Sequence, residues 1–238
     1  MPKAVVIGAT SGIGKALVHV LVQHDFEVGA TGRRLSLLKG MQSGPDAPSH
    51  IKAMDVTQTK EAMQALDEMI AEMGGADLIV ISAGVGFINP YLDWGKERDT
   101  VNTNIRGFAA IANAAFQYFS KQGKGHLVGI SSVAAVRGSG IAPAYNASKA
   151  FVLSYLEGLR LNAAKQSLPI HITDVRPGFV DTAMAQGDGL FWVASPEEAA
   201  RKIYSAIAKK KKIVYVTRRW RLIAWLMRLL PEAIYKRI

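Results

Sequence analysis

The sequence predicts an α/β protein with one doubly wound parallel β-sheet and helices on both of its faces. Short runs rich in β-branched residues alternate with amphipathic segments of helical spacing, the order expected of strands joined by crossover helices. The first run, residues 3–7, leads through a glycine-rich turn into a segment of helical spacing. With 238 residues, 49% of them hydrophobic, the chain is long enough for a single domain with a substantial core.

The composition excludes several kinds of site. The chain has no cysteine, so disulfide bonds and thiolate metal sites are ruled out, and its five histidines show no metal-ligand spacing. We therefore predict no metal site. The apolar run of residues 4–7 is too short for a signal peptide or a membrane span, so we expect a cytoplasmic protein without a leader.

Positive charge is concentrated near the C-terminal end. The formal net charge is +10, and residues 201–238 hold twelve of the 29 Lys and Arg residues against a single acid, Glu232. A basic surface confined to one end does not indicate a nucleic-acid-binding domain. We predict no nucleic-acid partner, because aromatic residues suited to stacking on bases accompany the arginines only in this region.

Residues 8–14, Gly-Ala-Thr-Ser-Gly-Ile-Gly, connect the first predicted strand to the first predicted helix. Glycines let the backbone turn sharply and come close to a pyrophosphate, which then binds the free N–H groups at the start of the helix. The turn predicts a dinucleotide site, and its expected contacts are Gly8, Thr10, Ser11, Gly12, Ile13 and Gly14.

The choice of dinucleotide depends on the residues that follow the second predicted strand, residues 27–31. NAD-dependent enzymes place an acid there to bind the ribose 2′-hydroxyl. This chain has Gly32, Arg33 and Arg34 instead, and guanidinium groups suit the geometry of a phosphate. The sequence therefore favours NADP(H), with a pair of merely solvated arginines as the alternative.

Tyr145 and Lys149 lie four residues apart, on one face of a predicted helix. A tyrosine titrates near pH ~10, and a neighbouring ammonium favours the phenolate by roughly one pK unit or more. Such a tyrosine can exchange a proton with a carbonyl or alcohol oxygen, to which Ser132 would be a second donor. The spacing alone is commoner in ordinary surface pairs, so the interpretation depends on the cofactor turn as well.

The G-x-x-x-G-x-G turn, together with Ser132, Tyr145 and Lys149, resembles the short-chain dehydrogenase/reductase family from Ala4 to about Val216. The resemblance implies a single Rossmann-type domain over residues 1–216, with about seven strands in the order 3-2-1-4-5-6-7. Residues 217–238 exceed that fold and form a separate, basic amphipathic C-terminal tail. The implied chemistry is hydride transfer between a nicotinamide and a carbonyl or alcohol carbon.

The resemblance also implies roles for individual residues. Asn104, in the pattern Asn-x-x-Gly, would hold a water that connects Lys149 to solvent. Ser132 is preferred to Ser131 because its interval of 13 residues to Tyr145 is the usual one in the family. The remaining cofactor contacts implied by the family are Asp55 and Val56 at the adenine, Ala83 and Gly84 along the cofactor, Tyr145 and Lys149 at the catalytic centre, and Pro177, Gly178, Val180 and Thr182 around the nicotinamide and phosphates.

Further family features concern substrate and partners. Residues 183–194, which include Leu190, Phe191 and Trp192, correspond to a mobile flap over the substrate, and their apolar character favours a lipophilic carbonyl compound. Two long helices, predicted at residues 94–120 and 145–165, imply a homodimer or homotetramer. The alternative is a cofactor-binding regulatory or membrane-peripheral protein with little turnover.

The pattern of residues in the tail predicts an amphipathic helix. Arg218, Arg221 and Arg228 fall on one side, and the other side is apolar, with Trp220, Ile223, Met227 and Leu230. Two alternatives follow from this pattern. The helix either lies in the surface of an anionic membrane or packs on protein with its arginines solvated.

Overall fold

The computed structural model describes residues 1–184 and 191–236. Its centre is a parallel sheet of seven strands: β1 (Lys3–Ile7), β2 (Glu27–Gly32), β3 (His50–Ala53), β4 (Leu78–Ile81), β5 (Gly125–Ile130), β6 (Ile170–Arg176) and β7 (Ile213–Tyr215). They are ordered β3-β2-β1-β4-β5-β6-β7, and every neighbouring pair is parallel. The predicted fold class and strand order are confirmed.

Helices cover both faces of the sheet. In the described residues they are α1 (Gly12–Val22), α2 (Leu35–Lys39), α3 (Thr59–Glu72), α4 (Trp94–Val101), α5 (Phe108–Gln122), α6 (Pro143–Lys165), α7 (Pro196–Ala208), α8 (Arg218–Leu229) and α9 (Glu232–Tyr235). Successive strand residues point to opposite faces, so Val6 belongs to the core beneath α1 and α7, and Val5 to the core beneath α3, α5 and α6.

The predicted long helix at residues 94–120 is interrupted. Between α4 and α5 the chain forms a π-helical turn at Asn102–Gly107. Gly107 lies there directly on the loop after β3, since a Cβ at this position would come within 2.7 Å of the Val56 carbonyl oxygen. Such turns often occur at functional sites, and this one contains Asn104.

Other local features also differ from the sequence-based expectations. A 3₁₀ turn at Val133–Val136 was not predicted, and α6 begins at Pro143, two residues before the predicted start at residue 145. The short helix α2 was not predicted, because its five residues have no capping side chain to mark the start. The tail is helical as expected. None of the helices in the described ranges is long and apolar enough to cross a bilayer.

The carboxyl ends of the strands gather at one edge of the sheet, where the order reverses between β1 and β4. The close contact there requires a glycine. Gly8 has φ +88°, and a Cβ on it would lie 2.5 Å from the Ala83 amide nitrogen. Its own N–H donates to the Thr31 carbonyl at the end of β2, at 2.9 Å. The ends of β2, β1 and β4 therefore meet in one crevice, the position at which such sheets bind ligands.

Candidate active site

The glycine turn forms one end of the crevice. A Cβ at Gly14 would lie 2.1 Å from the Gly8 carbonyl oxygen, so the start of α1 sits directly on the turn. Gly12 has φ +53° and faces Thr182, whose Cγ2 would be 3.0 Å from an added Cβ. The structure thus brings Thr182 to the N-terminus of α1, where free N–H groups favour an anion.

The two arginines after β2 differ in their surroundings. Arg34 Nη2 donates to Thr10 Oγ1 at 2.9 Å and to Ser11 Oγ at 3.1 Å, which ties the end of β2 to the glycine turn. Arg33 is exposed and makes no hydrogen bond or ion pair with any residue that the structure describes. Arg33 is therefore the guanidinium that remains free for a ligand at this end of the crevice.

Asp55 and Val56 lie beside the same crevice. Asp55 Oδ1 accepts hydrogen bonds from the Thr57 amide at 3.0 Å and the Thr57 hydroxyl at 2.8 Å, which fixes the turn after β3. Val56 is buried against Gly107, and Ala83 lies under Gly8. Val56, one of the two residues predicted to contact the adenine, thus lies next to the π-helical turn.

The two serines after β5 have separate environments. Ser131 is buried, and its hydroxyl donates to the Asp174 carboxylate and to the Val175 carbonyl. Ser132 Oγ accepts from the Ala134 amide at 3.1 Å and donates to the Pro177 carbonyl at 3.5 Å, and its hydroxyl also acts to lower the pKa of Tyr145. The tyrosine therefore responds to Ser132, whereas the Ser131 hydroxyl is occupied by residues of β6.

Lys149 lies one helical turn after Tyr145 on α6 and is only 5% exposed. Its Nζ donates to the Ile130 carbonyl at 3.0 Å and lies 5.8 Å from the centre of the Tyr145 ring. Burial lowers the pKa of Lys149 to about 8, and the Asp174 carboxylate offsets part of that effect. The pKa of Lys149 is thus close enough to neutral pH for the ammonium to release its proton.

The pKa of Tyr145 differs from the expectation. The neighbouring lysine was expected to lower it, but burial raises it, and the hydrogen bond with Ser132 offsets only part of the rise. The ring lies against Gly86, where a Cβ would be 2.9 Å from Cδ2, so solvent is kept from this side. Removing a phenolate from water outweighs the attraction of an ammonium 5.8 Å from the ring centre. Tyr145 is a neutral phenol at neutral pH.

Asn104 cross-links three parts of the site. Its Nδ2 donates to the Val85 carbonyl at 2.7 Å and to Ser148 Oγ at 3.0 Å, and its Oδ1 accepts from the Val85 amide at 2.8 Å. A Cβ at Gly84 would lie 3.3 Å from Asn104 Oδ1 and 3.4 Å from Lys149 Nζ. Both side-chain donors are therefore in use, and the predicted water site would depend on the remaining acceptor capacity of its oxygens.

The Pro177–Gly178 turn lies beside Ser132, since the Pro177 carbonyl accepts from the Val133 amide at 2.9 Å. Val180 is buried and pairs with Ala194. Phe191 and Trp192 of the predicted flap are partly exposed, whereas Leu190 lies outside the described residues. These predicted residues thus lie on segments that follow β6, at the carboxyl edge of the sheet.

Two groups of residues at the site are not evident from the sequence. Asp174 is fully buried and accepts from Arg176 Nε at 2.6 Å as well as from Ser131. The available signal was an acid within a predicted buried strand, two residues before Arg176. The second group is Trp220 and Arg137, which join the tail to the crevice. No local pattern in the sequence could have identified that contact.

The chain resembles known proteins in both sequence and fold. A sequence model described as short chain dehydrogenase matches residues 2–189. An uncharacterized oxidoreductase of Myxococcus xanthus is 35% identical over 186 residues, covering 76% of this chain and 73% of the relative. Solved structures with the same fold include two that are informative here. A short chain dehydrogenase of Burkholderia cenocepacia in complex with NADP has a TM-score of 0.84 at 23% identity, covering 99% of this chain and 96% of its own. The bulky-bulky ketone specific alcohol dehydrogenase of Comamonas testosteroni has a TM-score of 0.78 at 21% identity, covering 98% and 96%.

The pKa of Lys149 predicts a pH-dependent stability. From pH ~8 to pH ~10 the folded protein releases this proton while the unfolded chain, whose lysines titrate near 10.5, retains it. The free energy of unfolding should therefore rise by about 2 kcal/mol over this range, relative to the Lys149→Met variant. The raised pKa of Tyr145 lowers stability only at higher pH. Urea unfolding of both proteins at the two pH values measures the difference, and an equal pH dependence would contradict the assignment.

Proposed function

The chain belongs to the short-chain dehydrogenase family of oxidoreductases, and on that premise we propose that it transfers hydride between NADP(H) and a carbonyl or alcohol carbon. The observation that supports this most directly is the convergence of Ser132, Tyr145 and Lys149 near the loop after β4, where Gly84 lies next to Lys149 Nζ and Gly86 next to the Tyr145 ring. The three groups offer two hydroxyl donors and one proton reservoir to a single substrate oxygen.

The crevice suits a dinucleotide phosphate. Cβ atoms at Gly8 and Gly14 would collide with backbone, so only glycine allows the turn to fold this tightly onto the start of α1. The N-terminus of α1 offers N–H groups to a pyrophosphate, and Arg33 has a free guanidinium for a 2′-phosphate. The Burkholderia structure that shares this fold was solved with NADP. NADPH, when bound, supplies the hydride.

The side chains would divide the proton chemistry between them. In the reductive direction Tyr145, a neutral phenol, donates its proton to the carbonyl oxygen, and Ser132 hydrogen-bonds and polarises the same oxygen. Lys149, with a pKa of about 8, can return a proton toward Tyr145. Asn104 holds the loop after β4 against α6 and so keeps Lys149 in place. The balance is one hydride to carbon and one proton to oxygen.

The surroundings of the crevice favour a lipophilic substrate. Phe179, Phe191, Trp192 and Trp220 form an aromatic cluster next to the Gly178 turn. Apolar rings reward an apolar ligand in proportion to the surface that both remove from water. The Comamonas enzyme of the same fold is described as specific for bulky-bulky ketones. We therefore propose a carbonyl compound with large apolar substituents.

Replacing Tyr145 with phenylalanine tests the catalytic assignment. The variant keeps the ring that packs on Gly86 but has no proton to donate. We expect NADPH binding to persist and turnover to fall by a factor of roughly 10² to 10⁴. NADPH consumption is followed by absorbance against carbonyl compounds graded from small aldehydes to long-chain ketones.

The same assay addresses the alternative function. A Tyr145→Phe variant with the wild-type rate would refute the proposed role of the tyrosine. A wild-type protein that binds NADPH and reduces no member of the panel would favour a cofactor-binding regulator instead.

Arg33 and Arg34 provide a matched test of the cofactor. Arg33→Ser removes the free guanidinium and should raise the KM for NADPH about tenfold or more, with little change for NADH. Arg34→Ser breaks the bonds to Thr10 and Ser11 and should weaken both cofactors. Steady-state kinetics with each cofactor measure this. Equal losses for the two cofactors in Arg33→Ser would contradict the proposal.

A second proposed property is peripheral contact with an anionic membrane. The predicted apolar side of α8 faces protein, with Trp220 buried and Met227 half-buried. A neighbouring flank of α8 is exposed to solvent. In this flank Leu222 is 72% exposed and Trp225 is 65% exposed, and Leu226 and Leu229 are exposed beside them. Exposed arginines, Arg221 and Arg228, border this flank; the Arg218 side chain lies outside the described part of the structure. Exposed aromatic and aliphatic groups among cations suit an anionic bilayer surface.

Two tryptophans of similar exposure test this contact. Trp225→Gln should reduce co-sedimentation with phosphatidylserine vesicles by about tenfold, because its indole would no longer enter the interface. Trp94→Gln, at a residue that is 70% exposed on α4, is the control and should bind like the wild type. Equal binding of both variants, or no preference for phosphatidylserine over phosphatidylcholine, would exclude the membrane surface.

A further inference from the structure

The helix α8 is fastened to the turn after β6 by Trp220. The indole is only 4% exposed. A Cβ at Gly178 would lie 2.1 Å from Trp220 Nε1 and 2.2 Å from Cε2, so the ring occupies the space that a side chain at position 178 would need. The glycine of the Pro177–Gly178 turn and this tryptophan are therefore complementary in shape.

Trp220 is also the centre of the aromatic cluster. Its ring packs edge-on against Phe179 at 5.1 Å, stacks on Phe191 at 5.1 Å and meets Trp192 at 6.1 Å between ring centres. The Arg219 guanidinium lies 5.5 Å from the centre of the Trp192 ring. One side chain of the tail thus holds the residues after Gly178 together with the partly exposed segment at residues 191–192.

A second set of contacts joins the tail to the segment that follows Ser132. Arg137 Nη1 donates to the Met227 carbonyl at 2.9 Å and to the Leu230 carbonyl, and its guanidinium lies 4.2 Å from the centre of the Tyr235 ring. The Tyr235 hydroxyl donates to the Gly138 carbonyl at 2.7 Å. Residues 137–138 follow the 3₁₀ turn that begins directly after Ser132.

Shape, not polar bonding, determines where Trp220 sits. Its indole N–H meets no acceptor among the residues that the structure describes, although the atom is buried. A buried donor without a partner is unfavourable. The ring contacts must therefore outweigh this penalty, and the position of Trp220 depends on its fit to Gly178 and to the three neighbouring rings.

We propose that Trp220 is a positioning residue of the active site, which fixes the Pro177–Gly178 turn from the tail. The inference rests on the proposed function, because the family resemblance places this turn beside the nicotinamide. The Pro177 carbonyl is bonded to the Val133 amide, next to Ser132. A displaced turn would therefore disturb both the cofactor site and the serine that binds the substrate oxygen.

The test compares Trp220→Ala, Trp220→Phe and Trp94→Ala in the full-length protein. Trp220→Ala should lower kcat on the order of 10²-fold, as expected for small displacements at a reacting centre, and should raise the Kd for NADPH measured by its fluorescence. Trp220→Phe keeps a ring in the cluster and should recover most of both values. Trp94→Ala, a change at an exposed site, should match the wild type.

Gly178→Ala supplies an independent arm, because the added methyl group would enter the space of the indole. If the two residues act through their contact, Gly178→Ala combined with Trp220→Ala should be no worse than Trp220→Ala alone. Thermal unfolding shows whether each variant is folded. If Trp220→Ala does not fold, the kcat and Kd values of Trp220→Phe and Gly178→Ala test the proposal instead.

Two results would overturn the proposal. Folded Trp220 variants with wild-type kcat and wild-type Kd for NADPH would show that the tail does not position the turn. Additive losses in the double variant would show that the two residues act separately. Failure of the proposed function would look different, since the wild type itself would then reduce no member of the carbonyl panel, whether or not it binds NADPH.

Discussion

A side chain at position 8 would collide with the backbone of Ala83, and this exclusion determines how closely the ends of β1 and β4 approach. Gly14 repeats the constraint one step further along, where α1 touches the Gly8 carbonyl. Because these contacts are made by backbone, the crevice has a floor whose shape does not depend on rotamers. Thr182, Gly84 and Lys149 all lie around this floor. The shape of the site therefore depends on Gly8 and Gly14.

Burial, more than neighbouring charge, controls the electrostatics of the crevice. It raises the pKa of Tyr145 and lowers that of Lys149, so both groups are shifted toward their neutral forms. Asp174 limits the effect on the lysine and is itself held by Arg176 and Ser131. A buried carboxylate is stable only with such partners. The strand that supplies the Pro177–Gly178 turn thus also carries the charge that moderates Lys149.

The parts of the site that follow from local pattern could be predicted from the sequence. The glycine spacing and the interval between Tyr145 and Lys149 reflect turn and helix geometry, and the strand order followed from the family resemblance. The π-helical turn around Asn104 and the direction of the Tyr145 pKa could not, because they depend on Gly107 and Gly86 meeting distant residues. The tail shows the same limit. Periodicity identified the apolar side of α8 but could not identify Gly178 as the surface it packs against.

The bond between Tyr235 and Gly138 joins residues 97 positions apart. The tail residues that make this contact follow all seven strands in the sequence, so they are synthesised after the strands. We expect the sheet and the glycine turn to assemble first, and Trp220 and Tyr235 to dock on them afterwards. The aromatic side of the crevice would then be completed later than its glycine turn.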